Sequence, residues 1–367
     1  MTIGYDAKRA FYNGSGLGSY SRTVLELMSR YYPQVKLVLF VPKKRGKILY
    51  EGEGRVVYSR DSFLSDLWRS YGMSKTKEFK ELDIFHGLSG ELPHGKHKVK
   101  MVVTVHDLIF LRFPQFYNPV DVRIYDMKHR YSVKQANLVI AISEATKHDL
   151  EDIYGLSGEN IRVVYQSYNP IFAREYTREE IEQVKQKYGL PKEYILNVST
   201  IEERKNILAV LEAMEESRID YPLVIVGRPK KRYFRRVHEF LAKSWVKKNV
   251  YFVFNAEFRE LPMIYRGSKV FVYPSLYEGF GIPIIEAQVS GVPVITSNVS
   301  SMPEAAGQHS ILVEPTDRGQ IAEAIESLLN DKEKAEYMIE AGREYVKKFS
   351  VENFAKGLMG VYEEVLG

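Results

Sequence analysis

KVFVYPSLYEGFGIPIIEAQVSGVPVITS, residues 269–297, reads as strand, turn, helix and strand in one continuous unit. KVFVYP is an unbroken β-branched and aromatic run, the pattern of a strand buried on both faces of a parallel sheet. SLYEGFG leaves its carboxyl end, and Pro283 suits the first helical position, where a missing N–H is no loss. VPVITS then opens the next strand. Units of this kind build doubly wound sheets, which bind ligands beyond the carboxyl ends of their strands. Gly281 permits close approach, so the N–H groups around Phe280, Gly281 and Ile282 face an anion at the positive helix end. Glu286 falls on the first turn, and its two oxygens suit a ribose diol. Glu278 stands in the loop, nearer whatever lies beyond the phosphates. Either acid alone has a plain alternative: a dipole-favoured helix-start residue for Glu286, an exposed loop acid for Glu278. Their joint spacing points to a nucleotide sugar.

The same alternation runs through the chain. Strand candidates in the first half are residues 2–6, 36–41, 83–87, 101–106, 138–143 and 161–165, with helices over 17–32 and 143–155, the second capped by Ser143. The pattern restarts with strands over 194–200, 222–227, 249–254, 269–274 and 292–297, and QSYNPIFAREY (166–176) between the two series looks like a linker. The expectation is α/β: two Rossmann-like, doubly wound domains, 1–169 and 170–349, facing each other across a cleft. The helical pattern of 350–367 follows the second sheet and is expected to pack back on the first domain.

A chain of 367 residues exceeds one ordinary core. No apolar run is long enough to span a bilayer, and MTIGYDAKRA lacks the pattern of a secretion signal, so a cytoplasmic protein is expected. With no cysteine, disulfides and thiolate metal sites are excluded. The net charge of +5 divides as +7 over residues 1–169 and −2 over the rest, with basic clusters at KKRGK (43–47) and KHKVK (96–100). Solvated surface is the plain reading. The sharper one is contact between this half and something anionic, such as a membrane face or a phospholipid-linked substrate.

Three further motifs fall at strand ends. NGSGLGSYSRTVL (13–25) places Gly14, Gly16 and Gly18 before a helix. The acidic residue of a dinucleotide site is missing, since the second strand runs into Pro42, Lys43 and Lys44, so NAD is not expected. His106 and Asp107 emerge from VTVHDLIF (103–110), where a histidine can donate or accept at neutral pH, or simply be structural. Arg204 and Lys205 in STIEERKN (199–206) sit where a helix begins, so fixed charge and backbone N–H groups could meet one anion; a surface pair is the alternative.

With these motifs in hand, the sequence resembles the GT-B fold retaining glycosyltransferases of glycosyltransferase family 4, of the mannosyltransferase-like kind that assembles bacterial surface polysaccharides. The likeness takes in the glycine loop, VHDLIFLRFP, ISEATKHDL, ERKN, ELPMIYRGSKVFVYPSLYEGFGIPIIEA, GVPVITSNVSSMPEAAG and the final FSVENFAKGLMGVYEEVL. The most specific element is the pair Glu278 and Glu286 with GFGIP inside. The resemblance implies that Glu286 holds the ribose and Glu278 meets the donor sugar. Phe280, Gly281 and Ile282 would face sugar and diphosphate, Lys205 the diphosphate, Gly16 a donor phosphate and His106 the sugar. Many members carry arginine where Thr200 stands, and Arg204 is a substitute source of that charge.

No Asp-x-Asp or paired-histidine motif is present, so no metal cofactor is expected. Charge on the departing nucleoside diphosphate then falls to Lys205, Arg204 and the helix N-terminus. Retention by front-face displacement is expected, with Glu278 either an orienting group or a nucleophile. The donor is a nucleoside diphosphate hexose, GDP-mannose first and UDP-hexoses close behind; the acceptor is a glycan or lipid-linked glycan, and no nucleic acid is involved. Alternatives are a nucleotide-sugar 2-epimerase-like isomerase and a non-catalytic nucleotide-sugar-binding protein.

Overall fold

The computed structural model describes residues 1–43, 47–59 and 65–367. Two compact units are present: Met1–Gln166 together with Val351–Gly367, and Ser167–Ser350. Lys44 and Arg45 of the basic KKRGK run lie outside the described residues.

In the first unit, β1 (Thr2–Asp6), β2 (Lys36–Val41), β3 (Arg55–Tyr58), β4 (Ile84–Gly87), β5 (Lys100–Val105), β6 (Leu138–Ala141) and β7 (Ile161–Val163) form one sheet in the order β3-β2-β1-β4-β5-β6-β7. In the second, β8 (Ile195–Val198), β9 (Leu223–Val226), β10 (Val250–Val253), β11 (Val270–Tyr273), β12 (Val294–Ser297) and β13 (Ile311–Val313) are ordered β10-β9-β8-β11-β12-β13. Every pairing among the described strands is parallel. The apolar runs are continuous because helices cover both faces; Leu223–Val226 and Val270–Tyr273 are buried throughout. In each sheet the order reverses beside the first strand, between β1 and β4 and between β8 and β11. At such a switch point, loops leaving adjacent strands diverge and open a crevice.

The two-series reading holds, with differences at the margins. β3 is an edge strand whose RVVY is mostly exposed, and β13 has three residues, so neither carries the buried run that marks the others. The segment expected as linker is packed: Pro170–Ala173 forms a 3-10 turn, and Phe172 is buried against the rings of Phe258 and Tyr265 at 5.8 and 5.7 Å. The C-terminal helix Val351–Leu366 belongs to the first unit, where the Tyr362 hydroxyl meets His86 Nδ1 at 2.7 Å and Tyr5 at 3.2 Å.

Candidate functional site

The crevice between β8 and β11 in the second unit collects the charged residues. β8 leads through Ser199–Glu202 into the 3-10 turn Glu203–Lys205, and Asn206 follows in the left-handed region at φ 57°. Asparagine tolerates that conformation, and here its side chain also holds the turn in place. Asn206 Nδ2 donates to the carbonyls of Pro274 (3.1 Å) and Pro315 (2.7 Å), while Leu276 N–H donates to the Arg204 carbonyl at 2.8 Å. The loop after β8 is thereby fastened to the loop after β11.

Three donors then meet one oxygen. Glu278 Oε1 lies 2.5 Å from Lys205 Nζ, 2.7 Å from Arg204 Nη1 and 3.1 Å from the Tyr273 hydroxyl. Lys205 also donates to the Tyr273 oxygen at 2.5 Å, and Arg204 to the Tyr277 carbonyl at 2.7 Å and to Glu202 at 3.1 Å. Glu278 and Lys205 are 8% and 9% exposed, so these pairs act in a poorly hydrated medium. Burial alone would raise the Glu278 carboxyl; Lys205 and Arg204 overcome it and hold the group down at about 2. Burial lowers the Lys205 ammonium, an effect Glu278 opposes and Arg204 reinforces. The Glu278 backbone is fixed as well. Ser300 Oγ donates to its carbonyl at 2.6 Å, and Ser301 Oγ reaches the carbonyls of Glu278 and Phe280 at 2.9 Å.

The helix Ile282–Val289 begins at Gly281, whose φ of 109° strains any L side chain. A Cβ there would also stand 2.9 Å from Ile284 Cδ1. Phe280 is buried with its ring edge-on to Phe349 at 5.2 Å. Two details differ from expectation. Pro283 is the second helical residue, and Glu286 lies in the second turn rather than the first, because the helix starts at Ile282. Glu286 is consequently buried, 3.3 Å from the Tyr265 hydroxyl, and burial raises its carboxyl to about 8 although that bond lowers it.

In the first unit, His106 follows β5. Its Nε2–H donates to the Leu88 carbonyl at 2.9 Å, which leaves Nδ1 as the acceptor of the neutral ring. Burial lowers the imidazole to about 4, so it is uncharged at neutral pH. The Tyr20 ring stands edge-on to it at 4.5 Å, and the Tyr20 hydroxyl lies 3.1 Å from Thr104 Oγ1. Tyr20 sits on the helix Gly16–Tyr31, which ties His106 to the element that Gly16 opens. Gly18, not Gly16, is the glycine that packing demands: a Cβ at Gly18 would be 1.8 Å from the Asn13 carbonyl oxygen, whereas nothing lies within 4 Å of one at Gly16. The second unit thus brings Arg204, Lys205 and Glu278 together and sets Glu286 with Tyr265, while Gly16 and His106 belong to the first unit. Tyr273, Asn206 and Ser301 escaped the sequence reading. Tyr273 had one signal, a phenol ending an otherwise apolar buried strand, which needs a partner for its hydroxyl.

Known proteins agree with this architecture. The family model described as "Glycosyltransferase Family 4" matches residues 16–170, and "Glycosyl transferases group 1" matches residues 178–345. O-antigen chain mannosyltransferase B of Escherichia coli is 29% identical over 295 residues, 78% of this chain and 75% of that protein. Serotype-specific mannosyltransferase WbdA of Escherichia coli is 30% identical over 241 residues, 64% of this chain and only 29% of WbdA. The crystal structure of Anabaena HepE with UDP and glucose superposes with a TM-score of 0.74 at 16% identity, over 99% of each chain, a likeness of fold. The paired family matches and the two doubly wound sheets place the chain in glycosyltransferase family 4, with the GT-B fold.

Proposed function

We propose that the protein transfers a hexose, mannose first, from a nucleoside diphosphate sugar to a glycan or lipid-linked acceptor in surface polysaccharide synthesis, with retention at the anomeric carbon. The observation that carries this is the convergence of Arg204, Lys205 and Tyr273 on Glu278 Oε1 at the switch point of the second sheet. It fastens buried Lys205 and part-buried Arg204 to the loop that opens the helix Ile282–Val289, an arrangement suited to a diphosphate. In the proposed roles, Lys205 and Arg204 stabilise the leaving diphosphate and Glu286 holds the ribose. Phe280, Gly281 and Ile282 line sugar and phosphate with backbone, Gly16 meets a donor phosphate and His106 the sugar. All three Glu278 contacts fall on Oε1, so Oε2 is the oxygen assigned to the sugar hydroxyls.

In the front-face step, the bond from the anomeric carbon to the β-phosphate oxygen breaks and its electron pair stays on that oxygen. The acceptor oxygen bonds to the carbon on the same face, and its proton passes to the departing phosphate. A metal is not required by this scheme, because the cationic pair and helix start supply the opposing charge. Mannose is favoured by the names of the two relatives, and UDP-hexoses stay in view through HepE. Work at the cytoplasmic face of a membrane completes the proposal; among the described residues no helix is long and apolar enough to cross a bilayer.

The test is a panel of nucleotide sugars incubated with and without a mannose-containing glycan acceptor, in the presence and absence of EDTA. Acceptor-dependent release of nucleoside diphosphate, unaffected by chelation, is expected. Isomerised donor would make the protein an epimerase, binding without turnover a receptor, and metal-restored loss in EDTA would refute the charge-stabilisation scheme.

A further inference from the structure

The balance of −2 over the second half conceals a strongly basic stretch. Residues 228–248, RPKKRYFRRVHEFLAKSWVKK, hold nine Lys or Arg and one acid, Glu239. The segment leaves the carboxyl end of β9 and forms the helix Lys231–Leu241. Tyr233, Val237 and Leu241, spaced by four, face the core, and Tyr233 accepts the Leu208 N–H at 2.9 Å. Lys231, Arg232, Arg235 and Arg236 lie on the exposed face, with the Arg235 side chain 74% and that of Arg236 50% exposed. Arg236 pairs with Glu203 and Arg235 stands 4.0 Å from Glu239. Among the described residues the structure gives Arg228, Lys230, Lys231 and Arg232 no carboxylate partner.

Two features are not explained by folding. Lys230, Lys231 and Arg232 crowd the N-cap and first turn, where the helix dipole is positive and no acid balances them. Beside them, Phe234 meets Phe252 and Phe254 at 5.4 and 5.5 Å, and Phe254 remains 41% exposed. Cations along one face of a helix, bordered by the exposed Phe254 ring, match a surface with negative charge above and an apolar boundary beneath. The convex helix face presents a row of charge rather than a pocket, which suits an extended anionic surface over a single small anion.

We propose that the outer face of the Lys231–Leu241 helix, with the aromatic edge at Phe254, is a docking surface for an anionic lipid bilayer. The preference for a bilayer over another polyanion rests on the membrane-proximal transferase reading; the surface itself rests on the charge and aromatic placement. Each basic residue near such a membrane contributes through attraction that salt weakens.

Sedimentation of the full chain with vesicles of phosphatidylcholine alone, or with about one-third phosphatidylglycerol, tests this. Binding is expected only to the anionic vesicles and is released by salt. The combined variant Lys230→Gln, Lys231→Gln, Arg232→Gln, Arg235→Gln is expected to lose affinity by a factor on the order of 100, with its thermal midpoint kept. Phe254→Ser, which leaves every charge in place, is expected to weaken binding severalfold. Lys96→Gln, Lys98→Gln, Lys100→Gln in the first unit is expected to change it by less than about threefold. Equal binding to both vesicle types, or parental binding by both the quadruple and Phe254→Ser variants, overturns the proposal. A polynucleotide that binds the same face more tightly than the vesicles also overturns it, in favour of nucleic acid. Donor turnover on a soluble acceptor is read in parallel, so failure of the docking surface and failure of the transferase reading are told apart.

Discussion

Glu278 is at once the proposed partner of the donor sugar and the counter-charge of buried Lys205 and part-buried Arg204. Glu278→Ala would leave buried Lys205 without its carboxylate and Arg204 with Glu202 alone, at a cost of about 3–5 kcal/mol, and would mix folding with chemistry. Glu278→Gln separates them. Turnover is expected to fall by at least about a hundredfold while nucleoside diphosphate affinity, measured by calorimetry, does not decrease, because the phosphates lose a competitor for Lys205. Unchanged turnover would end the catalytic assignment. The Glu278 carboxyl is held at about 2, below its ordinary value of 4.5, so its stabilisation is complete above 4.5 and is lost as pH falls through 2. Glu286 has the opposite sign. Raised to about 8, it keeps its proton in the folded protein while the unfolded chain ionises near 4.5, so its contribution to stability declines as pH rises from 4.5 to 8. A ribose diol calls for the carboxylate. Nucleoside diphosphate binding at pH 7 should therefore release close to one proton, with affinity rising up to about pH 8. Calorimetry in buffers of different ionisation enthalpy reads this directly. Glu286→Gln should abolish the release, and a parent protein without buffer dependence would remove the ribose role.

At the scale of the element, the turn that opens Ile282–Val289 depends on Gly281. Its φ of 109° and the 2.9 Å approach of Ile284 mean that Gly281→Ala should destabilise the second unit by about 1–3 kcal/mol. Differential thermal melting with and without nucleoside diphosphate checks this: a lowered midpoint and weaker ligand stabilisation are expected, and an unchanged melting curve would show the turn to be tolerant. GFGIP could be recognised in the sequence because glycine and proline have local conformational meanings. The exact start of the helix could not, and one position decided the rest: beginning at Ile282 puts Glu286 a turn deeper and buries it.

At the scale of the molecule, the C-terminal helix belongs to the first unit although the whole second sheet separates it in sequence. Its buried residues include Phe354, Leu358, Met359, Tyr362 and Val365, and each apolar side chain so covered contributes about 1.5–3 kcal/mol. A fragment of residues 167–350 is expected to fold and bind nucleoside diphosphate. Residues 1–166 without 351–367 are expected to lose cooperative melting by circular dichroism, and to recover it when the helix is fused back through a linker. Cooperative folding of 1–166 alone would contradict the assignment of the helix to that core.

The sequence by itself determined the parallel α/β class, the two successive βα series and the strand ends at which Glu278, Arg204, Lys205 and His106 emerge. Continuous apolar runs and turn residues are local signals, and the side of a sheet on which a loop emerges follows from strand direction alone. Tertiary structure decided what depends on pairs distant in the chain: the three donors on one oxygen of Glu278, the Asn206 clasp between the loops after β8 and β11, and the raised Glu286 carboxyl beside Tyr265. It also decided the spatial meaning of charge. Summed over half the chain, the basic stretch 228–248 cancels against distant acids, but folding sets Lys231, Arg232, Arg235 and Arg236 on one helix face, with Glu203 brought to Arg236 and Glu239 4.0 Å from Arg235. Net charge is additive along a sequence, whereas the field at a surface depends on distance, and only the fold sets distance.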